Sequence, residues 1–173
     1  MTAAKSGENA VYKVINIITT VVLAVLVIFA ALLTVPKMAG MDTYVVLSGS
    51  MEPAYKTGSL IYTKKIVDTA ELKIDDVITF RLNDSTVATH RIVDVSTADG
   101  AYVFQTKGDA NASPDPNPVP EENVVGKVIF SVPYLGYAAD FVQHPPGIYI
   151  AVMLGVVLLL LTYISDRRKP RKE

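Results

Sequence analysis

The chain has 173 residues, enough for one modest domain; half of them are hydrophobic and 19% are charged. A mean hydropathy of +0.34 is more than a small soluble domain needs, so membrane-spanning segments are expected. The net charge of −1 argues against nucleic-acid binding, and the lack of cysteine excludes disulfides, thiolate metal sites and thiol nucleophiles. With only two histidines and no HExxH string, that zinc motif is absent as well.

Residues 1–13 form a short N-terminal segment. Between Lys13 and Lys37 lie 23 uncharged residues, including IITTVVLAVLVIFAALLTV from Ile17 to Val35. At about 1.5 Å per helical residue, this run crosses a hydrocarbon core of roughly 30 Å. A cleaved signal peptide would have a shorter apolar region of about 7–15 residues. A spanning helix over 14–36 is therefore predicted.

From Lys37 to Pro146, short β-branched runs alternate with turn residues, and no helical periodicity is sustained. The predicted strands are Tyr44–Leu47, Ser59–Lys65, Asp76–Arg81, Thr86–Val95, Tyr102–Thr106 and Val124–Val132. The turns Asn83-Asp84-Ser85 and Ala98-Asp99-Gly100 make Asp76 to Thr106 a three-strand meander. One helical turn is expected within DTAELKIDD, from Asp68 to Asp76. The stretch from Gly108 to Asn123 holds four prolines and reads as irregular. A long loop of this kind in a small domain is often functional.

The second apolar run, IYIAVMLGVVLLLLTYI from Ile148 to Ile164, has 17 uncharged residues, about 26 Å of helix. Tyr149 and Tyr163 near its ends suit membrane interfaces, and a span over 147–165 is predicted. Five basic residues between Arg167 and Lys172 follow, which mark the 166–173 tail as a cytoplasmic anchor. Two spans put both termini on that side. The domain over 37–146, with nine basic and fourteen acidic residues, then faces outward.

Three strings carry residues capable of chemistry. In LSGSMEP, from Leu47 to Pro53, Gly49 permits a sharp turn and Ser50 becomes a nucleophile if a base stands beside it. Ser-Gly-Ser is also common in plain loops. In THRIV, strand alternation puts His90 on the face of Ala88 and Ile92, opposite Arg91 and Val93. A lone strand histidine is more often a half-buried structural residue. His144, before Pro145-Pro146, reads as interfacial. In KGDANASPDP, from Lys107 to Pro116, either Asp109 or Asp115 is able to orient a histidine ring, although both also suit ordinary turns. Their spacing does not match an EF-hand calcium loop.

In this order the three strings resemble the type I signal peptidases, membrane-bound serine peptidases that remove signal peptides from exported proteins. The resemblance runs from about Tyr44 to Val132. It implies a mainly β fold, a signal-peptidase-like (LexA-like) β-barrel domain between two transmembrane α-helices. The common bacterial enzymes carry a lysine where this chain has His90. The Ser-His form is similar to the endoplasmic-reticulum, archaeal and SipW-like branch.

Carried over by position, the resemblance implies Ser50 as nucleophile and His90 as general base. Asp115, six residues after the Asp of the GD pair, becomes the orienting acid, and Asp109 a supporting residue. Ser48 resembles the serine whose hydroxyl joins the Ser50 backbone N–H in the oxyanion hole. This chain reads GDAN where many relatives read GDNN. The implied partners are signal peptides of secretory preproteins with an A-x-A site, the lipid bilayer and the nearby Sec translocon. No cofactor, metal or nucleic acid is implied. A histidine base predicts activity falling below about pH 6.5, where free histidine protonates.

From Pro36 to Ser50 the chain reaches at most about 46 Å, which tethers the site near the bilayer surface. Val45, Val46 and Met51 are expected to face lipid or substrate. The string Asn111-Ala112-Ser113 is glycosylation-like and lies in the proposed catalytic loop, where a glycan would obstruct substrate. This favours a bacterial plasma membrane, and the SipW likeness a Gram-positive one. The competing reading is a catalytically silent, membrane-anchored β-domain that binds exported or envelope proteins. A self-cleaving peptidase of the LexA type would use Ser-Lys and be soluble, and sortase chemistry needs a cysteine.

Overall fold

The fold is that of a computed structural model, which describes residues 2–167 and the side-chain surroundings of residues 13–164. Beyond Arg167 the expected basic tail lies outside the described residues. The chain divides into a β unit, Val35–Asp140, and a helical unit from the segments that flank it.

The helical unit contains α1 (Thr2–Met38) and α3 (Gly147–Arg167). Lys13–Met38 and Gly147–Ile164 are long and apolar enough to cross a membrane. Their apolar side chains are largely exposed, Val25 by 59% and Leu159 by 60%, whereas a soluble core helix would bury one face. The hydroxyls of Thr19, Thr34 and Thr162 donate to the carbonyls of Ile15, Ala30 and Leu159, which satisfies them without water. Helix α1 runs two residues past Pro36 to Met38, and Gly40 follows it with a φ of 73°, in the left-handed conformation that closes a helix end.

The β unit is one antiparallel sheet of β1 (Met41–Val45), β2 (Leu60–Lys64), β3 (Val77–Arg81), β4 (Val87–Ala98), β5 (Ala101–Lys107), β6 (Val119–Pro120) and β7 (Val124–Val132). The strands lie in the order β1-β2-β7-β3-β4-β5-β6. The expected meander is β3-β4-β5. Its first turn is closed by Asn83 Oδ1, which accepts from the Ser85 N–H at 3.0 Å. Its second is the two-residue loop Asp99-Gly100, both at positive φ, matching the right-handed twist of the strands. Asp68 caps the short 3₁₀ turn Thr69–Glu71 by accepting from the Ala70 N–H, where one helical turn was expected.

Two hydrophobic clusters fill the sheet. Ile78, Phe80, Ile92, Phe104, Leu72 and Val119 make one, and Met51, Ile61, Val77 and Val128 the other. The single-residue alternation of β3 sends Val77 to one cluster and Ile78 to the other, so this central strand is buried on both faces.

Two elements depart from the sequence reading. The proline-rich stretch is not wholly irregular, because Val119–Pro120 pairs with Phe104 and Val103 as β6 and a 3₁₀ turn follows at Glu121–Asn123. Proline is tolerated there because β6 is an edge strand that needs no donor on its open side. A nine-residue helix, α2 (Leu135–Gln143), precedes α3. Gly136 and Ala139, three residues apart, are its buried stripe, and Gly136 is so close to the Gly58 and Ser59 carbonyls that a Cβ would stand 2.7 Å from each.

Candidate active site

Ser50 lies on the turn that leaves β1. The Val46 N–H donates to Ser59 O and the Gly58 N–H to Val46 O, extending the β1–β2 ladder before the chain breaks away. The Glu52 N–H then donates to Gly49 O and the Tyr55 N–H to Met51 O, turning the chain back on itself. Met51, 2% exposed, anchors this turn in the second cluster, so Ser50 is fixed on a packed base.

His90 is in β4 opposite Ile78. Its face is the one expected from alternation, shared with Ala88 and Ile92, and its ring stands edge-on to Phe80 with centroids 6.2 Å apart. After Ile92 the ladder slips, with Ile92 opposite Thr106 and Asp94 opposite Gln105. The extra residue, Val93, forms a bulge that bends β4 just beyond the histidine.

Asp115 reaches the same point from the loop after β5. Its N–H donates to Thr106 O at 2.8 Å, and its carbonyl accepts from Gln105 Nε2 at 2.7 Å. Its Oδ2 stands 2.6 Å from His90 Nδ1, and His90 Nε2 stands 3.2 Å from Ser50 Oγ. An ionised carboxylate only accepts, so Nδ1 carries the proton and Nε2 presents its lone pair to the serine hydroxyl. The side chains of His90 and Asp115 are 15% and 19% exposed, which limits competition from water. Ser48 Oγ lies 3.2 Å from Ser50 Oγ on the open side of the turn.

Asp109 does not join this chain of bonds. Both of its oxygens accept from Arg91, from Nε at 2.8 Å and Nη2 at 2.7 Å, and Arg91 Nη1 donates to Asp75 O at 2.8 Å. Arg91 follows His90 in sequence and so faces the other side of β4. The hydrogen bonds to Asp109 raise the Arg91 pKa above its ordinary value, and the guanidinium stays charged at every working pH. The next residue along the Asp109 loop, Ala110, donates its N–H to Ser50 O at 2.8 Å. Asp109 therefore helps to hold the serine turn against β4.

A cleft of about 550 Å³ opens beside Ser48, Ser50 and His90. Its walls are mainly apolar and include Tyr44, Val46, Tyr55, Ile61, Leu82 and Val87. Val45, Val46 and Met51 all line it, but Met51 is a core residue and not an exposed one. Burial pushes the Tyr44 and Tyr55 phenols above their ordinary pKa, so both remain neutral walls. Among the described residues, no cluster of three or more histidine, aspartate or glutamate side chains is placed to hold a metal ion. The sequence reading missed Arg91 as the partner of Asp109, and it missed Gln105 and Thr106. Only the adjacency of Arg91 to His90, on the opposite face of a strand, hinted at the first.

No family model matches the chain. Over 120 residues it is 43% identical to Signal peptidase I W of Bacillus subtilis, a match that covers 65% of this chain and 63% of that protein, just under two thirds. Over 125 residues it is 30% identical to the Signal peptidase complex catalytic subunit SEC11 of Verticillium alfalfae, covering 68% of this chain and 72% of that protein. The Fusarium vanettenii protein of the same name gives the same identity and coverage.

Proposed function

The chain belongs to the signal peptidase I family, on the branch of the Bacillus Signal peptidase I W and the SEC11 catalytic subunits, and we propose that it hydrolyses the bond after the signal peptide of exported preproteins with Ser50, His90 and Asp115 as its triad. The observation that carries the residue assignment is the unbroken path Ser50 Oγ–His90 Nε2 and His90 Nδ1–Asp115 Oδ2, at 3.2 and 2.6 Å.

A serine hydroxyl is a poor nucleophile until a base takes its proton. In this reading His90 Nε2 takes it as Ser50 Oγ attacks the scissile carbonyl carbon. The negative oxygen of the tetrahedral intermediate accepts bonds from the Ser50 N–H and the Ser48 hydroxyl; such donors typically contribute about 3–4 kcal/mol each. Asp115 holds the ring and stabilises the imidazolium, which then gives its proton to the leaving amine. Water, deprotonated by the same nitrogen, releases the signal peptide and regenerates Ser50. The apolar cleft suits the small side chains of an A-x-A site.

The two apolar helices support a membrane-held enzyme. The basic residues after α3 in the sequence support cytoplasmic termini, which puts the β unit on the outer face of the plasma membrane, within reach of precursors leaving the Sec translocon. Asn111-Ala112-Ser113 in the loop between Asp109 and Asp115 favours a bacterial source, Gram-positive by the Bacillus likeness, over a glycosylating compartment. The test is cleavage of a fluorescent A-x-A precursor by the full-length protein in liposomes. Ser50→Ala and His90→Ala are each expected to insert normally and to stop cleavage. Undiminished cleavage by either variant would overturn the reading.

A further inference from the structure

The carboxylate of Asp115 has a second partner beside the histidine. Thr106, in β5, is fully buried at 0% exposure, and its hydroxyl donates to Asp115 Oδ2 at 2.6 Å. This is the same oxygen that accepts from His90 Nδ1 at 2.6 Å. The Thr106 carbonyl accepts from the Asp115 N–H as well, and the neighbouring strand residue adds one further tie, from Gln105 Nε2 to Asp115 O. Asp115 is otherwise carried by a loop rich in proline and small residues, with no secondary structure of its own between Lys107 and Val119.

We propose that Thr106 is a positioning residue for the reaction, setting the angle and charge of the Asp115 carboxylate and, through it, the tautomer and orientation of His90. This rests on the assignment of Ser50, His90 and Asp115 as the triad. A carboxylate at the end of a loop side chain has two free torsions, and one bond to a histidine leaves it able to swing. A second, short bond from a rigid strand removes that freedom. The hydroxyl points at an acceptor-only oxygen, so its proton is committed and the bond is charge-assisted. Thr106 is opposite Ile92 in the β4–β5 ladder, two residues from His90. The strand pair that carries the base thus also carries the clamp for its acid. Thr106 is not among the residues that line the cleft, and its hydroxyl bonds to Asp115, so it acts on the site through that carboxylate.

The experiment measures kcat and KM of the full-length protein in detergent on a fluorogenic A-x-A precursor peptide. Thr106→Val keeps the shape and removes the hydroxyl, Thr106→Ala removes it without β-branching, and Thr106→Ser keeps it. Each is combined with Asp115→Ala. Both hydroxyl-free variants are expected to lose about ten- to a hundred-fold in kcat with KM nearly unchanged, the range of a lost hydrogen bond to a charged group. Thr106→Ser restores most of that loss. In the Asp115→Ala background, Thr106→Val has no further effect, because the group it acts on is gone.

Wild-type kcat in Thr106→Val and Thr106→Ala, failure of the serine variant to rescue, or losses that multiply with Asp115→Ala would each overturn the proposal. Full activity in Asp115→Ala alone would instead overturn the triad assignment on which it rests, so the two failures are distinguishable.

Discussion

A Cβ added at Gly108 would stand 2.6 Å from the carbonyl oxygen of Ser50. The strand end after β5 and the serine turn after β1 meet at this point, and the Ala110 N–H seals the approach by donating to the same oxygen. The carbonyl is backbone and cannot move aside as a flexible side chain would. Gly108→Ala is therefore expected to push the two segments apart and move Ser50 relative to His90. A displacement of about 1 Å at reacting atoms costs on the order of a hundred-fold in rate. Precursor cleavage by Gly108→Ala in liposomes checks this, and activity within twofold of wild type would show that the turn absorbs the methyl.

The Arg91–Asp109 pair acts on the same contact from below. Both side chains are largely buried, at 29% and 17% exposed, and the guanidinium is bonded at three nitrogens. Asp109→Ala leaves that guanidinium without its carboxylate and should cost about 1–3 kcal/mol of stability. Arg91→Lys is not a conservative change here, because an ammonium cannot reproduce the two-pronged bond. Thermal melts in detergent should rank wild type above both variants. A larger activity loss for Asp109→Ala than for Asp115→Ala would reverse their roles.

Burial raises the pKa of Tyr44, Tyr55 and Tyr62. A raised folded pKa contributes stability that is fully present below the unfolded value, about 10, and is lost as the pH climbs through the folded value. Stability is thus expected to hold through neutral pH and to fall above about pH 10. Denaturant midpoints measured on either side of that pH check the slope, and Tyr55→Phe should make it shallower.

The sequence carried much of this account in its motifs. Ser50, His90 and the pair Asp109 and Asp115 stood out because each string has a local reason for its shape, a glycine turn, a strand and a loop, and the family resemblance favoured Asp115 of the two. What joins them is not local. His90 and Asp115 meet because β4 and β5 pair in register and the following loop folds back onto Thr106, a contact no spacing rule encodes. The partner of Asp109 was hidden for the same reason. Thr106 and Gln105 looked like any polar strand residues until the loop covered them. The meander and both apolar helices were legible because turn chemistry and unbroken hydrophobicity are one-dimensional signals. β6 was concealed by its proline, which an edge strand accepts, and α2 by its position between a strand and a long apolar run.

The central claim is that Asp115 is the acid that orients His90, and Asp115→Asn tests it most directly. The amide keeps the shape of the side chain but can donate to Nδ1, which favours the wrong tautomer of the histidine. The account predicts a fall in kcat for precursor cleavage of about 10²- to 10⁴-fold, with the protein folded and inserted as wild type. Cleavage within twofold of wild type would contradict it.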